Sequence, residues 1–105
     1  MVLTPFEQVV LVATKKISKG RVSSYREVAT AIGCPRASRA VGNALHKNPY
    51  APVVPCHRVV KSNGELGGFG SGIKNKIKLL ASEGVEVKNK RVVNFKKVFY
   101  KFKKT

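Results

Sequence analysis

Ser24-Tyr-Arg-Glu-Val-Ala-Thr-Ala-Ile-Gly33, then Cys34-Pro35, then Arg36-Ala-Ser-Arg-Ala-Val-Gly-Asn-Ala-Leu-His46 is the stretch that decides the fold. Ser24 and Glu27 stand at capping-box spacing, Val28, Ala29 and Ile32 supply an apolar stripe, and Gly33 is placed to end a helix. Cys34-Pro35 breaks it. A further helix is predicted from about Arg36 to His46, with Ala37, Ala40, Val41, Ala44 and Leu45 buried and Arg36, Ser38, Arg39, Asn43 and Lys47 on its polar side. Asn48-Pro49 closes it, because the residue before a proline leaves helical geometry. Two short helices joined by a tight glycine-containing turn form a helix-turn-helix pattern. The small residues Ala37, Ala40, Gly42 and Ala44 would let the second helix bring its backbone close to a partner.

The charge balance says what that partner is. The chain has 105 residues, 21 Lys+Arg against 5 Asp+Glu, and a net charge of +16. Such a field attracts polyanions, and nucleic acid is the expected one. Hydrophobic residues make up 43% of the chain, enough for one domain with one modest core and too many for a disordered chain. No apolar run reaches the roughly 20 residues a membrane span requires, and the start lacks the pattern of a secretory signal, so an intracellular protein with no membrane partner is expected. Cys34 and Cys56 form no disulfide framework, and with His46 and His57 they show no metal-ligand spacing, so no metal site is expected.

Upstream, Thr4, Pro5 and Glu7 announce a first helix, with Phe6, Val9, Val10, Ala13 and Ile17 inward and Gly20 as its stop. Downstream, Tyr50–Pro55 is stiff and apolar, and Cys56–Val60 has strand-like character. Asn63-Gly64 signals a turn. A glycine-dense loop (Gly67, Gly68, Gly70, Gly72 around Phe69 and Ser71) lacks the features of a phosphate loop and is expected to form a flexible pocket wall. A last helix is expected from about Ile73 to Glu83, with Ile73, Ile77, Leu80 and Ala81 inward and Lys74, Lys76 and Lys78 outward, ended by Gly84. A weak hairpin turning at Asn89-Lys90 and a basic tail follow.

Pro55-Cys-His-Arg-Val59 places a thiol beside an imidazole. A thiol is a weak nucleophile until it loses its proton, and an imidazole is a common means of removing it. Neighbouring side chains on a regular strand point to opposite faces, so direct pairing of Cys56 with His57 would need a kink or a bridging water.

With Gly20-Arg-Val-Ser-Ser-Tyr25, Ser38-Arg-Ala-Val-Gly-Asn-Ala-Leu45, Asn48-Pro49, Gly67-Gly-Phe69 and Leu79-Leu-Ala-Ser-Glu-Gly84, that motif resembles the O6-alkylguanine-DNA alkyltransferases from about Pro5 to Gly84. The resemblance implies a mainly α, winged-helix-like helix-turn-helix domain with a small β component. It implies minor-groove binding to double-stranded DNA and flipping of an O6-alkylguanine. Cys56 would accept the alkyl group irreversibly, with no cofactor, because the purine is the leaving group. His57 would be the base, acting through a water, oriented by Glu83; Asn48 would support the pocket. Tyr25 would press on the DNA backbone and could donate to the departing purine. Arg39 would fill the vacated stack, with Ser38, Ala40, Asn43 and Arg58 as further DNA contacts. Pro55, Val59, Phe69, Gly70 and Ser71 would line the base pocket. The domain would span residues 1–84, with 85–105 a basic extension packed on it or trailing from it, and a monomer is expected. The larger N-terminal domain of many family members is missing.

Two other functions fit parts of the sequence. Alkyltransferase-like lesion sensors share this size but generally replace the reactive cysteine, often with tryptophan, where this chain keeps Cys56. A helix-turn-helix transcription regulator would bind one duplex sequence through the major groove.

Overall fold

The computed structural model describes residues 3–47, 53–67 and 72–102. The expectations for Asn48, Phe69, Gly70 and Ser71 therefore lie outside the described residues.

Helix α1 is Pro5–Lys15. Its capping box forms: Thr4 Oγ1 accepts from Glu7 N at 3.1 Å, and Thr4 N donates to Glu7 Oε1 at 2.9 Å. Val10, Leu11, Ala13 and Thr14 are its buried residues, whereas Val9 is 48% exposed, outside the predicted inward stripe. The helix also ends before Gly20; Ile17 is buried from the turn that follows it, and Gly20 (φ +85°) serves the bend into the next segment.

Strand β1, Ser23–Ser24, leads directly into α2, Tyr25–Ala31. Ser24 Oγ accepts from Glu27 N at 2.9 Å, the forward half of a capping box. The reciprocal half does not form, because the Glu27 carboxylate accepts instead from Phe102 N at 2.8 Å. Gly33 closes α2 in a Schellman arrangement, with Cys34 N donating to Ala29 O at 2.9 Å and Gly33 N to Thr30 O at 3.1 Å. A turn held by Ala37 N to Cys34 O at 2.9 Å uses up Arg36 and Ala37, so α3 is Ser38–His46, two residues shorter at its start than its periodicity predicts. Val41, Ala44 and Leu45 of α3 are buried, while Ala40, predicted inward, is exposed.

Cys56–Arg58 is a 3-10 turn and only Val59–Val60 is strand, β2, which corrects the strand-like reading of Cys56–Val60. Strand β2 runs parallel to β1, Ser23 facing Val59 and Ser24 facing Val60. Helix α4 is Ile73–Ser82. Leu80 is its buried anchor; Ala81, predicted inward, is exposed, and Lys76, predicted outward, is completely buried. Gly84 (φ +84°) ends it in a second Schellman arrangement, with Val85 N donating to Leu80 O at 2.9 Å.

Strands β3 (Val87–Lys88) and β4 (Arg91–Val92) form the expected hairpin around Asn89 and Lys90, both at positive φ as a two-residue turn demands. Glu65 bridges to Arg91, adding a third extended segment to this wing. Helix α5, Phe95–Val98, and the residues after it return to the body: Val22 N donates to Val98 O at 3.0 Å and Tyr100 N to Val22 O at 2.6 Å. The molecule is thus a mainly helical helix-turn-helix domain with a small β wing. One apolar cluster lies among α1, α2, α3 and the Cys56 turn; a second lies beneath α4 and the wing. Among the described residues, no helix is long and apolar enough to cross a membrane.

Candidate active site

The Cys56 turn is built by its flanks. Buried Val54 and Pro55 anchor the incoming chain, and Arg58 N donates to Pro55 O at 2.9 Å. The turn replaces the alternation of a strand, so Cys56 and His57 are both buried rather than split between two faces. His57 Nε2 lies 3.0 Å from Glu83 Oε1. Glu83 caps the C-terminal end of α4, an unfavourable place for an anion beside the helix dipole. Its presence there is explained by its partners. Arg58 donates from Nε to Glu83 Oε1 at 2.9 Å and from Nη2 to Oε2 at 2.5 Å. Burial works against the carboxylate, but these hydrogen bonds from Arg58 and His57 outweigh it and hold its carboxyl below the usual range. An ionised carboxylate can only accept, so His57 Nε2 carries the hydrogen and Nδ1 is the lone-pair nitrogen. Nδ1 is buried and has no hydrogen-bond partner among the described residues. Burial lowers the imidazole pKa, with Glu83 opposing it, so His57 is a neutral base at pH 7.

Tyr25, first residue of α2, is packed between two glycines. A Cβ on Gly67 would meet its hydroxyl at 3.0 Å, and one on Gly42 its ring at 3.8 Å. Burial raises the Tyr25 pKa, and Cys56 adds to that. An open cavity of about 750 Å³ joins these groups to α3; Tyr25, Ser38, Arg39, Asn43, Cys56 and Gly67 are among its lining residues. The structure therefore gathers Cys56, Tyr25, Ser38, Arg39 and Asn43 at one opening, with His57 and Glu83 behind the sulfur. Arg39 and Asn43 are exposed. Val59 is fully buried in the core cluster beside Cys56. Arg58 is turned away from the expected DNA contact: besides Glu83, its Nη1 donates to Ile17 O at 2.7 Å.

Sequence reasoning missed Lys76. Its Nζ donates to Val59 O and to Leu66 O, each at 2.7 Å, and sits 5.8 Å from the Tyr25 ring centroid. The signal was present, since Lys76 lies three residues after Ile73 and four before Leu80, on the buried stripe of α4. Among the described residues, no cluster of three His, Cys, Asp or Glu could hold a metal.

The model of the 6-O-methylguanine DNA methyltransferase DNA-binding domain matches residues 5–85. The chain belongs to this family. Within the family, it is 49% identical over 81 residues to the methylated-DNA–protein-cysteine methyltransferase of Methanosarcina acetivorans, covering 77% of this chain and 52% of that relative. The M. tuberculosis OGT structure in complex with DNA aligns with a TM-score of 0.77 and 47% identity, over 79% of this chain and 51% of that one. S. pombe Atl1, in complex with damaged DNA containing O6-carboxymethylguanine, aligns with a TM-score of 0.85 and 30% identity, over 96% of this chain and 99% of that one. This member of the 6-O-methylguanine DNA methyltransferase family thus spans about half the length of the curated relatives it matches.

Proposed function

We propose that this domain repairs double-stranded DNA by taking the alkyl group of an O6-alkylguanine onto Cys56, once per molecule. The observation that carries this reading is the arrangement behind the sulfur. Buried neutral His57, held at Nε2 by Glu83, keeps Nδ1 as its only lone-pair nitrogen, and Cys56 opens on the cavity that also holds Tyr25 and the polar face of α3. His57 removes the thiol proton, directly or through a water. The sulfur attacks the alkyl carbon, the carbon–oxygen bond breaks, and the purine leaves with the electron pair and gains a proton, with Tyr25 as a donor. The thioether product resists hydrolysis, so no turnover follows. Exposed Arg39 occupies the gap left by the flipped base; Ser38, Ala40 and Asn43 face the duplex, and Arg58 acts inward by fixing Glu83. Asn48 and the loop at Phe69–Ser71 complete the pocket. The protein acts as a monomer inside the cell.

A duplex with a labelled O6-methyl group, added in equimolar amount, should transfer its label to the Cys56 peptide, and Cys56→Ser should abolish transfer. A second reading, a non-catalytic lesion sensor, is favoured by the match to nearly the whole of S. pombe Atl1. Tight binding of the damaged duplex with no methyl on Cys56 would establish the sensor instead.

A further inference from the structure

Lys76 has no exposed surface, and lysine is among the residues least often buried. Two carbonyl partners at 2.7 Å replace only part of an ammonium's hydration. A neutral side chain could serve that packing role, so a full charge under the cavity calls for another cause. The two carbonyls locate it. Val59 directly follows the Cys56 turn, and Leu66 directly precedes Gly67, which abuts Tyr25. Burial brings the Lys76 pKa down to about 8, while the nearby Cys56 acts in the opposite direction.

We propose that the Lys76 ammonium is a positioning charge for the alkyl acceptor, its field favouring the anionic form of the Cys56 sulfur while its hydrogen bonds hold the backbone on both sides of the cavity. This deepens the reading of Cys56 as acceptor and rests on it. Lys76 donates no proton: in the transfer a sulfur–carbon bond forms, a carbon–oxygen bond breaks, and the proton lost by sulfur ends on the purine. The other charged or titratable groups around Cys56 are His57 and Arg58 on its own turn, Glu83 beyond α4, Tyr25 at the start of α2, and Arg39, His46 and Lys61 on the cavity wall. Arg58 is committed to Glu83, and Arg39, His46 and Lys61 are exposed, which leaves Lys76 as the fully buried cation among them.

The test measures alkylation of Cys56 by iodoacetamide against pH, in a Cys34→Ser background so that Cys56 is the one thiol. Lys76→Gln keeps donors but loses the charge; its profile should move about one unit to higher pH, roughly a tenfold loss of rate at pH 7. Lys76→Arg keeps the charge and should track the parent profile. A Gln profile superimposed on the parent, or equal losses in Gln and Arg, would overturn the proposal. A second measurement needs no folded variant. Since coupling is reciprocal, the Lys76 ammonium, followed by 15N NMR, should titrate at lower pH once Cys56 is carboxamidomethylated; an unmoved midpoint also overturns the proposal. Failure of the acceptor reading looks different: normal iodoacetamide chemistry, with no methyl taken from the damaged duplex.

Discussion

Lys76 carries a charge whose cost depends on pH. Its folded pKa is about 8 against an ordinary 10.5. Between those values the unfolded chain holds the proton more firmly than the folded one, so stability rises with pH across that window. The whole effect is about 3 kcal/mol, partly masked by other groups that titrate there. Subtracting the denaturant curves of Lys76→Gln from those of the parent isolates it: the parent should gain relative to the variant from about pH 8 to pH 10.5, and a flat difference would refute the assignment. The acid side has the opposite partners and the same slope. Glu83 has its folded pKa depressed below 4.5 and His57 below 6.5. Both therefore contribute stability that is complete above those values and is lost as pH falls through the folded ones. Glu83→Gln should remove the Glu83 part of that acid limb and, by leaving Arg58 and His57 without their anion, cost about 3 kcal/mol at pH 7. Urea midpoints at a series of pH values would check it, and an acid limb of parental depth would contradict it.

Helix ends, rather than helix middles, place the chemistry. Ser24 caps α2, and the next residue is Tyr25, so the cap and the ring share one turn. Ser24→Ala should cost about 1 kcal/mol, as should Thr4→Ala at the start of α1. The two should then part company: transfer from a damaged duplex should slow in Ser24→Ala and stay unchanged in Thr4→Ala, whose cap lies away from the cavity. Single-turnover rates beside melting curves would decide, and equal rates would show that the α2 cap does not position Tyr25. These caps were legible because they depend on residues three apart in the chain. The Schellman ends at Gly33 and Gly84, and the Asn89-Lys90 turn, were legible for the same reason. What escaped was set at long range. Glu27 abandons its own helix start for Phe102 N, a partner 75 residues away. Val53 to Val60 reads as extended from composition, yet Cys56–Arg58 winds into a 3-10 turn in which Arg58 reaches Glu83 and Ile17. Lys76 was assigned outward by residue type although its spacing placed it inward. The site was visible as a motif, Cys56 with His57, Glu83 and Tyr25; the inward commitment of Arg58 and the ammonium beneath the sulfur were not.

Across the whole molecule, Cys56 sits where two cores meet. Val59 belongs to the cluster of α1, α2 and α3, and Val60 to the cluster of α4 and the wing. Neither half owns the site: one contributes Tyr25 and Arg39, the other Glu83 and Lys76. Around this seam the chain carries +16. Long-range attraction of that size is sequence-independent and is screened by salt, whereas a cavity walled by protein is screened far less. Binding and chemistry should therefore separate. Affinity for an undamaged duplex should fall about a thousandfold between 50 and 200 mM salt if about six phosphates are engaged. The rate of methyl transfer at saturating DNA should stay nearly constant over the same range, because the reacting sulfur, its imidazole and the ammonium lie out of bulk solvent. Arg39→Ala should weaken preference for the damaged duplex more than it flattens the salt slope, since one exposed arginine is a small share of the charge but faces the cavity. Fluorescence anisotropy at several salt concentrations, with quenched single-turnover transfer alongside, measures both. A shallow salt slope joined to strong preference for one undamaged sequence would instead mark a base-reading regulator, for which the buried charges beside Cys56 would have no use.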